Sequence, residues 1–199
     1  ADNGMNMGHH GIWGKGNGTF PFNLFDTAVK VPFIVRWPGH VRSGRVTPAM
    51  CSHYDIIQTF NELFGLGAQL PDTLPGRSFA RVLLGGEDAD NHIVILDEYG
   101  SSRMIRTREW KYIHRFPYGP HELYHLAADP GETRNLAGQP ESADVQASLL
   151  DELQHWYCRY ADPAVDGTRE GVTGFGQMRR PGVYSEGRPV YAADPKYQK

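Results

Sequence analysis

The chain is short of most features that would assign it to a class at once. Its 199 residues contain two cysteines, Cys51 and Cys158, in neither a C-x-x-C nor a Cys/His cluster. That excludes a disulfide framework and argues against a zinc site. Both thiols are expected to be buried or half-buried. Basic residues are not in excess: 20 Lys and Arg face 23 Asp and Glu, for a net charge of -3. The Lys and Arg are also scattered, so there is no electrostatic case for nucleic acid. No apolar run approaches the roughly 20 residues that span a bilayer, so no membrane partner is expected. The chain does not begin with Met, and localisation is not legible from it. What is present is ordinary for a globular protein: 40% hydrophobic and 22% charged residues.

The first 23 residues are rich in glycine. Gly4, Gly8, Gly11, Gly14, Gly16 and Gly18 leave no room for a regular helix or strand. Such a stretch either wanders in solvent or wraps closely around a ligand. KVPFIVRWPG then reads as a buried strand ended by Pro38 and Gly39, with its ladder starting after Pro32. Asp55 opens a helix in which Ile56, Phe60, Leu63 and Phe64 recur at helical spacing, and Gly65 closes it. FARVLLGG is a short helical turn. Ile93 to Leu96 is a continuous apolar run of the central-strand kind. The period next changes to two. MIRTREWKYIHRF places Trp110, Tyr112, His114 and Phe116 on one face and Lys111, Ile113 and Arg115 on the other. A tight hairpin is expected near Arg108 and Glu109, and HELYHL is a further antiparallel strand. Val145, Leu149, Leu150, Leu153, Trp156, Tyr157 and Tyr160 mark a long amphipathic helix ended by Asp162 and Pro163. The order predicts part of an α/β layer followed by an α+β subdomain. The expected boundaries are 1–100 for the α/β part, 101–162 for the small antiparallel sheet with its long helix, and 163–199 for an extended Gly/Pro-rich tail.

Several residues of the opening stretch could carry chemistry. Asp2 and Asn3 offer a carboxylate and an amide carbonyl side by side, hard donors suited to Ca²⁺ or Mg²⁺. Asp-Asn-Gly is equally a common turn sequence. His9 and His10 are adjacent, so at most one of them faces a site. Lys15 sits between Gly14 and Gly16, where its ammonium can approach a phosphate or sulfate, or can simply face solvent. It is not part of a P-loop, because Gly16 stands where Ser or Thr is needed and His9 where a glycine is needed. Asn17, Gly18 and Thr19 form a glycosylation sequon, read here as loop chemistry. His114, His121, Tyr118 and Glu98 either line a pocket or decorate a hairpin surface.

Taken together the motifs are more specific. D-N-G-x-x-x-G-x-H-G-x-W-G-K-G, then V-P-F-I-V and W-P-G, resembles the C-terminal half of the formylglycine-dependent type I sulfatases, of the alkaline-phosphatase-like superfamily. The resemblance continues in order through SHYDIIQTFNELFG, LPGRSF, RMIRTREWKYIHR and ELYHLAADPGETRNLA, over roughly residues 1–160. It implies the C-terminal portion of an alkaline-phosphatase-like α/β sandwich with a small antiparallel sheet and helix. It implies that Asp2 and Asn3 are metal ligands, usually for Ca²⁺, that Lys15 binds a sulfate oxygen, and that His10 lies near the sulfate. His9 receives no role. The substrate implied is a small-molecule or carbohydrate sulfate ester. The formylglycine would come from a C/S-x-P-x-R motif, which neither CSHYD nor CRYAD matches. The chain therefore looks like a fragment that carries part of a site and is inactive alone. A phosphonate or phosphodiester hydrolase of the same superfamily and a non-catalytic scaffold are the alternatives. Three readings of the tail stand open: closure over a cleft, contact with a second copy in a homo-oligomer, and a flexible end, which is the simplest.

Overall fold

The computed structural model describes residues 3–19, 21–87, 92–96, 102–171 and 177–193. The chain divides into two compact units: one formed by Ala1–Pro32 with Val94–Lys199, the other by Phe33–Ile93.

The first unit is organised by a four-stranded sheet in the order β3-β4-β5-β6. Its strands are β3 (Ile93–Leu96), β4 (Ser102–Arg106), β5 (Trp110–Arg115) and β6 (Glu122–His125). β4 pairs antiparallel with β5, Met104 opposite Ile113, and β5 with β6, Tyr112 opposite Leu123. The hairpin falls at the expected break, where Thr107 caps the turn by accepting from the Trp110 N–H at 3.0 Å. Strict alternation holds, but both faces of the sheet are covered. On one face Val94, Ile105, Tyr112 and Leu123 pack with Leu149 and Leu153 of the helix Ala143–Tyr160. On the other, Met104, Ile113 and Tyr124 pack with Leu24 and Leu126. Trp156 lies against the helix-side cluster, as its spacing predicts.

Covering the second face has an electrostatic consequence that alternation does not foretell. Lys111 is fully buried. Its Nζ lies 2.6 Å from Glu132 Oε1 and 2.6 Å from Asp26 Oδ1, and donates to the Leu24 carbonyl at 3.0 Å. A buried ammonium must be paired in this way, because leaving it unpaired costs several kcal/mol. Asp26 opens the short helix α1 (Asp26–Val29). The Arg106 guanidinium also bonds both Asp26 oxygens, and Glu132 accepts the Asp26 backbone N–H at 2.6 Å. Residues 24–26 are thus clamped to the sheet. The described part of the tail is not a free arm: Val190 and Tyr191 are buried, and Tyr191 bridges to Gln177.

The second unit holds α2 (Ile56–Leu63) and α3 (Ala80–Leu83). α2 starts and stops near where the sequence predicts, with Gly65 at φ 58° after it. Its entry is fixed one turn earlier than expected. Ser52 caps a short 3-10 turn in a capping box: its N–H donates to Asp55 Oδ2 at 2.7 Å, and its hydroxyl accepts from Tyr54 N–H. The buried Asp55 also accepts from the Arg77 N–H at 2.9 Å. Two expectations fail here. The segment VPFIVRW forms no strand, and Phe33, Ile34 and Val35 are exposed. Cys51 is exposed rather than buried, as is Cys158 on the first unit's helix Ala143–Tyr160.

Candidate functional site

The glycine-rich stretch is held as a small hairpin. β1 (Asn6–Met7) pairs antiparallel with β2 (Trp13–Gly14), Asn6 opposite Gly14. Lys15 therefore lies one residue beyond that pair on one strand, and Asn3 three residues before it on the other. A two-residue ladder is too short to hold by itself. What holds it is a buried polar network. Asn6 is fully buried and donates to Asn23 Oδ1 at 3.0 Å, and its own side-chain oxygen accepts from the Thr27 hydroxyl. Asn23 shares its amide protons among the Lys15 carbonyl at 3.4 Å, the Gly16 carbonyl at 3.2 Å and the Thr19 hydroxyl at 3.0 Å. The Asn23 N–H donates back to Gly16 at 3.0 Å. The Asn6 to Asn23 bond is buried and the others are part-buried, so losing the first leaves a buried amide short of a partner.

Two glycines are required by close approach. Gly4 donates its N–H to the Ala28 carbonyl at 2.8 Å and lies so near the Thr27 and Ala28 backbone that no side chain fits. A Cβ on Gly16 would stand 2.7 Å from the Asn23 carbonyl oxygen. The opening loop is thereby fastened to α1, and α1 to the sheet through Asp26. Burial would raise the Asp26 pKa, but the Arg106 bonds and the Lys111 charge outweigh it and hold the carboxyl at about 2.

Within this frame the expected site residues stand as follows. Lys15 is exposed, in extended backbone just before a 3-10 turn at Gly16–Gly18. His10 is exposed at positive φ (54°), its ring stacked on Phe25 with centroids 3.7 Å apart. Phe25 immediately precedes the clamped Asp26, so the imidazole is held by its flat face while its edge stays in solvent. His9 accepts weakly from the Met7 N–H. Asn3 donates its amide to the Gly4 carbonyl at 2.7 Å, which leaves its Oδ1 as the atom available to a cation. Asp2 and Glu98 lie outside the described residues, as does the side chain of Asn17. Among the described residues no group of three or more His, Cys, Asp or Glu could hold a metal ion. One amide oxygen does not hold Ca²⁺, which takes six to eight. The described residues therefore do not by themselves make a cation site.

His114 and His121 are stacked at 4.3 Å, while Tyr118 is almost wholly exposed. The Tyr112 hydroxyl lies 2.8 Å from His114 Nδ1, and the Arg115 N–H donates to His121 Nδ1 at 3.2 Å. Both imidazoles are pushed below the usual histidine range, His121 by burial and then by the Arg115 charge. Burial first, then the His121 and Arg103 charges, push His114 down to about 4. Sequence reading missed the Asn6, Asn23 and Thr27 network. Its members sit in a two-residue strand, a loop and a one-turn helix, and the one available signal was that three amide or hydroxyl side chains bracket the Gly-flanked Lys15.

The Gly-rich loop, the antiparallel sheet and the long helix share their fold with solved structures of alkaline-phosphatase-like sulfatases. More narrowly, the chain belongs to the family described as N-sulphoglucosamine sulphohydrolase, C-terminal, which matches it over residues 8–158. Among curated relatives it is 27% identical over 186 residues to an ulvan-active sulfatase of Formosa agariphila, covering 74% of this chain and 35% of that protein. It is 27% identical over 214 residues to the choline-sulfatase of Rhizobium meliloti, covering 100% of this chain and 39% of that one. Two solved structures are similar. One is BT4656 in complex with its substrate D-glucosamine-2-N,6-O-disulfate, with a TM-score of 0.68, 25% identity and coverage of 84% and 35%. The other is the phosphonate monoester hydrolase of Agrobacterium radiobacter, with a TM-score of 0.61, 28% identity and coverage of 78% and 33%. The chain thus spans less than two fifths of the length of the curated relatives it matches.

Proposed function

We propose that this chain supplies the sulfate-binding part of a sulfuric ester hydrolase acting on a small-molecule or carbohydrate sulfate ester. Lys15 binds a sulfate oxygen, His10 assists the departing oxygen, and Asp2 and Asn3 contribute oxygens to a divalent cation site completed by polypeptide outside this chain. The observation that carries the reading is the buried Asn6 and Asn23 network. It fixes the loop backbone at Lys15 and Gly16 while Lys15 itself stays exposed. A cation on a preorganised loop stabilises developing negative charge without reorganising when the reaction occurs. His10, stacked on Phe25, is similarly restrained with its ring edge open, which suits proton transfer to a leaving group. When bound, the cation would neutralise sulfate charge and acidify the attacking hydrate of a formylglycine. The nucleophile itself has no precursor motif here.

The test is turnover of an aryl sulfate by the chain combined with a formylglycine-bearing sulfatase polypeptide. Lys15→Ala is expected to lower kcat about 100-fold or more, the scale of losing one charge-stabilising donor, with an unchanged melting temperature. Equal rates for variant and parent would remove Lys15 from the site. The likeness to the phosphonate monoester hydrolase supports a second reading, hydrolysis of a phosphonate or phosphodiester. The same preparation assayed on phenylphosphonate and on the aryl sulfate separates the two by which substrate has the higher kcat/KM.

A further inference from the structure

The outer face of the opening hairpin sets a large aromatic ring beside the exposed ammonium of Lys15. Burial alternates along the first strand: Asn6 is fully buried, while Met5 and Met7 on either side of it are 52% and 57% exposed. Trp13 pairs with Met7 across the ladder and is 71% exposed. Such cross-strand partners carry their side chains on one face. Lys15 follows two residues after Trp13, in extended backbone, and is exposed as well. Alternation returns it to the face of Trp13, away from the Asn6 and Asn23 network that holds the loop from beneath. The indole is also fixed in place. A Cβ on Gly8 would stand 3.4 Å from Trp13 Cζ2, so the ring rests against the bare backbone of Gly8, whose φ is 90°. Three apolar side chains gathered beside one cation differ from apolar residues scattered singly over a surface.

We infer that Trp13 is the platform for the alcohol part of the substrate, selecting sulfate esters of a ring that has a flat apolar face and no charge outside the sulfate. The inference rests on Lys15 holding the sulfate, as proposed above. Ligand sites combine an apolar wall with a few polar groups that fix orientation. This face supplies both: Lys15 for the anion, and Trp13 with Met5 and Met7 for the ring. An aromatic ring and the C–H face of a pyranose offer the same flat apolar surface, so both belong to the class. A quaternary ammonium also stacks on indole, but a like charge beside it works against that. None of residues 3–19 is acidic, and the next acid along the chain, Asp26, is committed to Lys111 and Arg106. A cationic alcohol such as choline would therefore meet Lys15 with no carboxylate there to offset the repulsion.

Nuclear magnetic resonance on the full chain tests the platform without turnover. Phenyl sulfate is expected to move the Trp13 indole N–H signal, identified by its loss in Trp13→Phe, and Lys15→Ala is expected to weaken that titration. Choline sulfate at the same concentration is expected to move the signal less. With the formylglycine-bearing polypeptide present, kcat/KM for phenyl sulfate and for glucose 6-sulfate is read against that for ethyl sulfate, which has no ring. Trp13→Ala should lower both ratios about tenfold, the scale of one lost ring contact, and Trp13→Phe should restore most of that loss. Ratios that stay at the parent's values, all three substrates losing equally, would make Trp13 a packing residue and overturn the inference. An indole signal that phenyl sulfate moves neither in the chain alone nor in the combined preparation would overturn it too, as would a larger shift with choline sulfate. A signal moved by phenyl sulfate with no turnover of any sulfate would uphold the platform while defeating the hydrolase reading, so the two fail separately.

Discussion

At the scale of single residues, the least dispensable side chains are not the ones that carry the chemistry. Lys111 is the clearest case. Its ammonium is fully buried and joins Glu132, Asp26 and the Leu24 carbonyl. Period-two reading places it on the face opposite Tyr112 but cannot reveal that both faces of the sheet are covered. Replacing it should be severe. Lys111→Met removes the cation and leaves Glu132 buried without its partner, at a cost of about 3–5 kcal/mol. The double variant Lys111→Met with Glu132→Gln removes both charges and should recover part of that loss. Chemical denaturation of the four forms of this cycle measures it. If the double variant is no more stable than Lys111→Met alone, the pair is not what holds residues 24–26 to the sheet. The site residues divide in the same way. Lys15 and His10 were visible as candidates because a distinctive motif surrounds them. Asn6, Asn23 and Thr27, which order the loop, were not, because their partners lie 17 and 21 positions apart in sequence.

At the scale of elements, the sequence was most readable where periodicity and punctuation agree. β3 follows its apolar run, the β4 and β5 hairpin turns where the alternation breaks, and the helix Ala143–Tyr160 follows its heptad-like stripe. It misled at residues 33–36, where composition for burial meets no covering surface within the second unit. β5 also carries an acid-sensitive feature that spacing alone could not show. His114 and His121 are stacked; the Tyr112 hydroxyl lies within hydrogen-bond distance of His114 Nδ1, and His121 Nδ1 accepts from the Arg115 N–H. Burial lowers both pKa values, that of His114 to about 4. The sign follows directly. A histidine freed by unfolding binds its proton near pH 6.5, whereas the folded one resists until about pH 4. The unfolded state therefore takes up more protons across that window, and stability present above pH 6.5 is lost as pH falls through it. Denaturation midpoints measured between pH 7 and pH 4 should decline, and His114→Gln should make the decline shallower. Parallel declines in parent and variant would assign the acid sensitivity to other groups.

At the scale of the whole molecule, the proposed site draws most of its cation donors from polypeptide outside this chain. The described residues offer a cation the Asn3 amide oxygen and no cluster of carboxylates or imidazoles. Adding the two carboxylate oxygens of Asp2 brings the total to three at most, against the six to eight that Ca²⁺ takes. Shared donors do not bind in proportion to their number, because each missing oxygen is replaced by water and the carboxylate is left to neutralise a double charge nearly alone. The buried Asn23 network cannot compensate, since it fixes the backbone at Lys15 and Gly16 rather than adding oxygens near Asn3. Calorimetric titration of the chain with Ca²⁺ should therefore show no micromolar site, and Asn3→Ala should leave the weak heat unchanged. In the presence of a complementary sulfatase polypeptide a tight site should appear, and Asn3→Ala should then weaken it. A micromolar site in the chain alone would mean that donors beyond Asp2 and Asn3 converge here, and the division of the metal centre between two stretches of polypeptide would have to be abandoned.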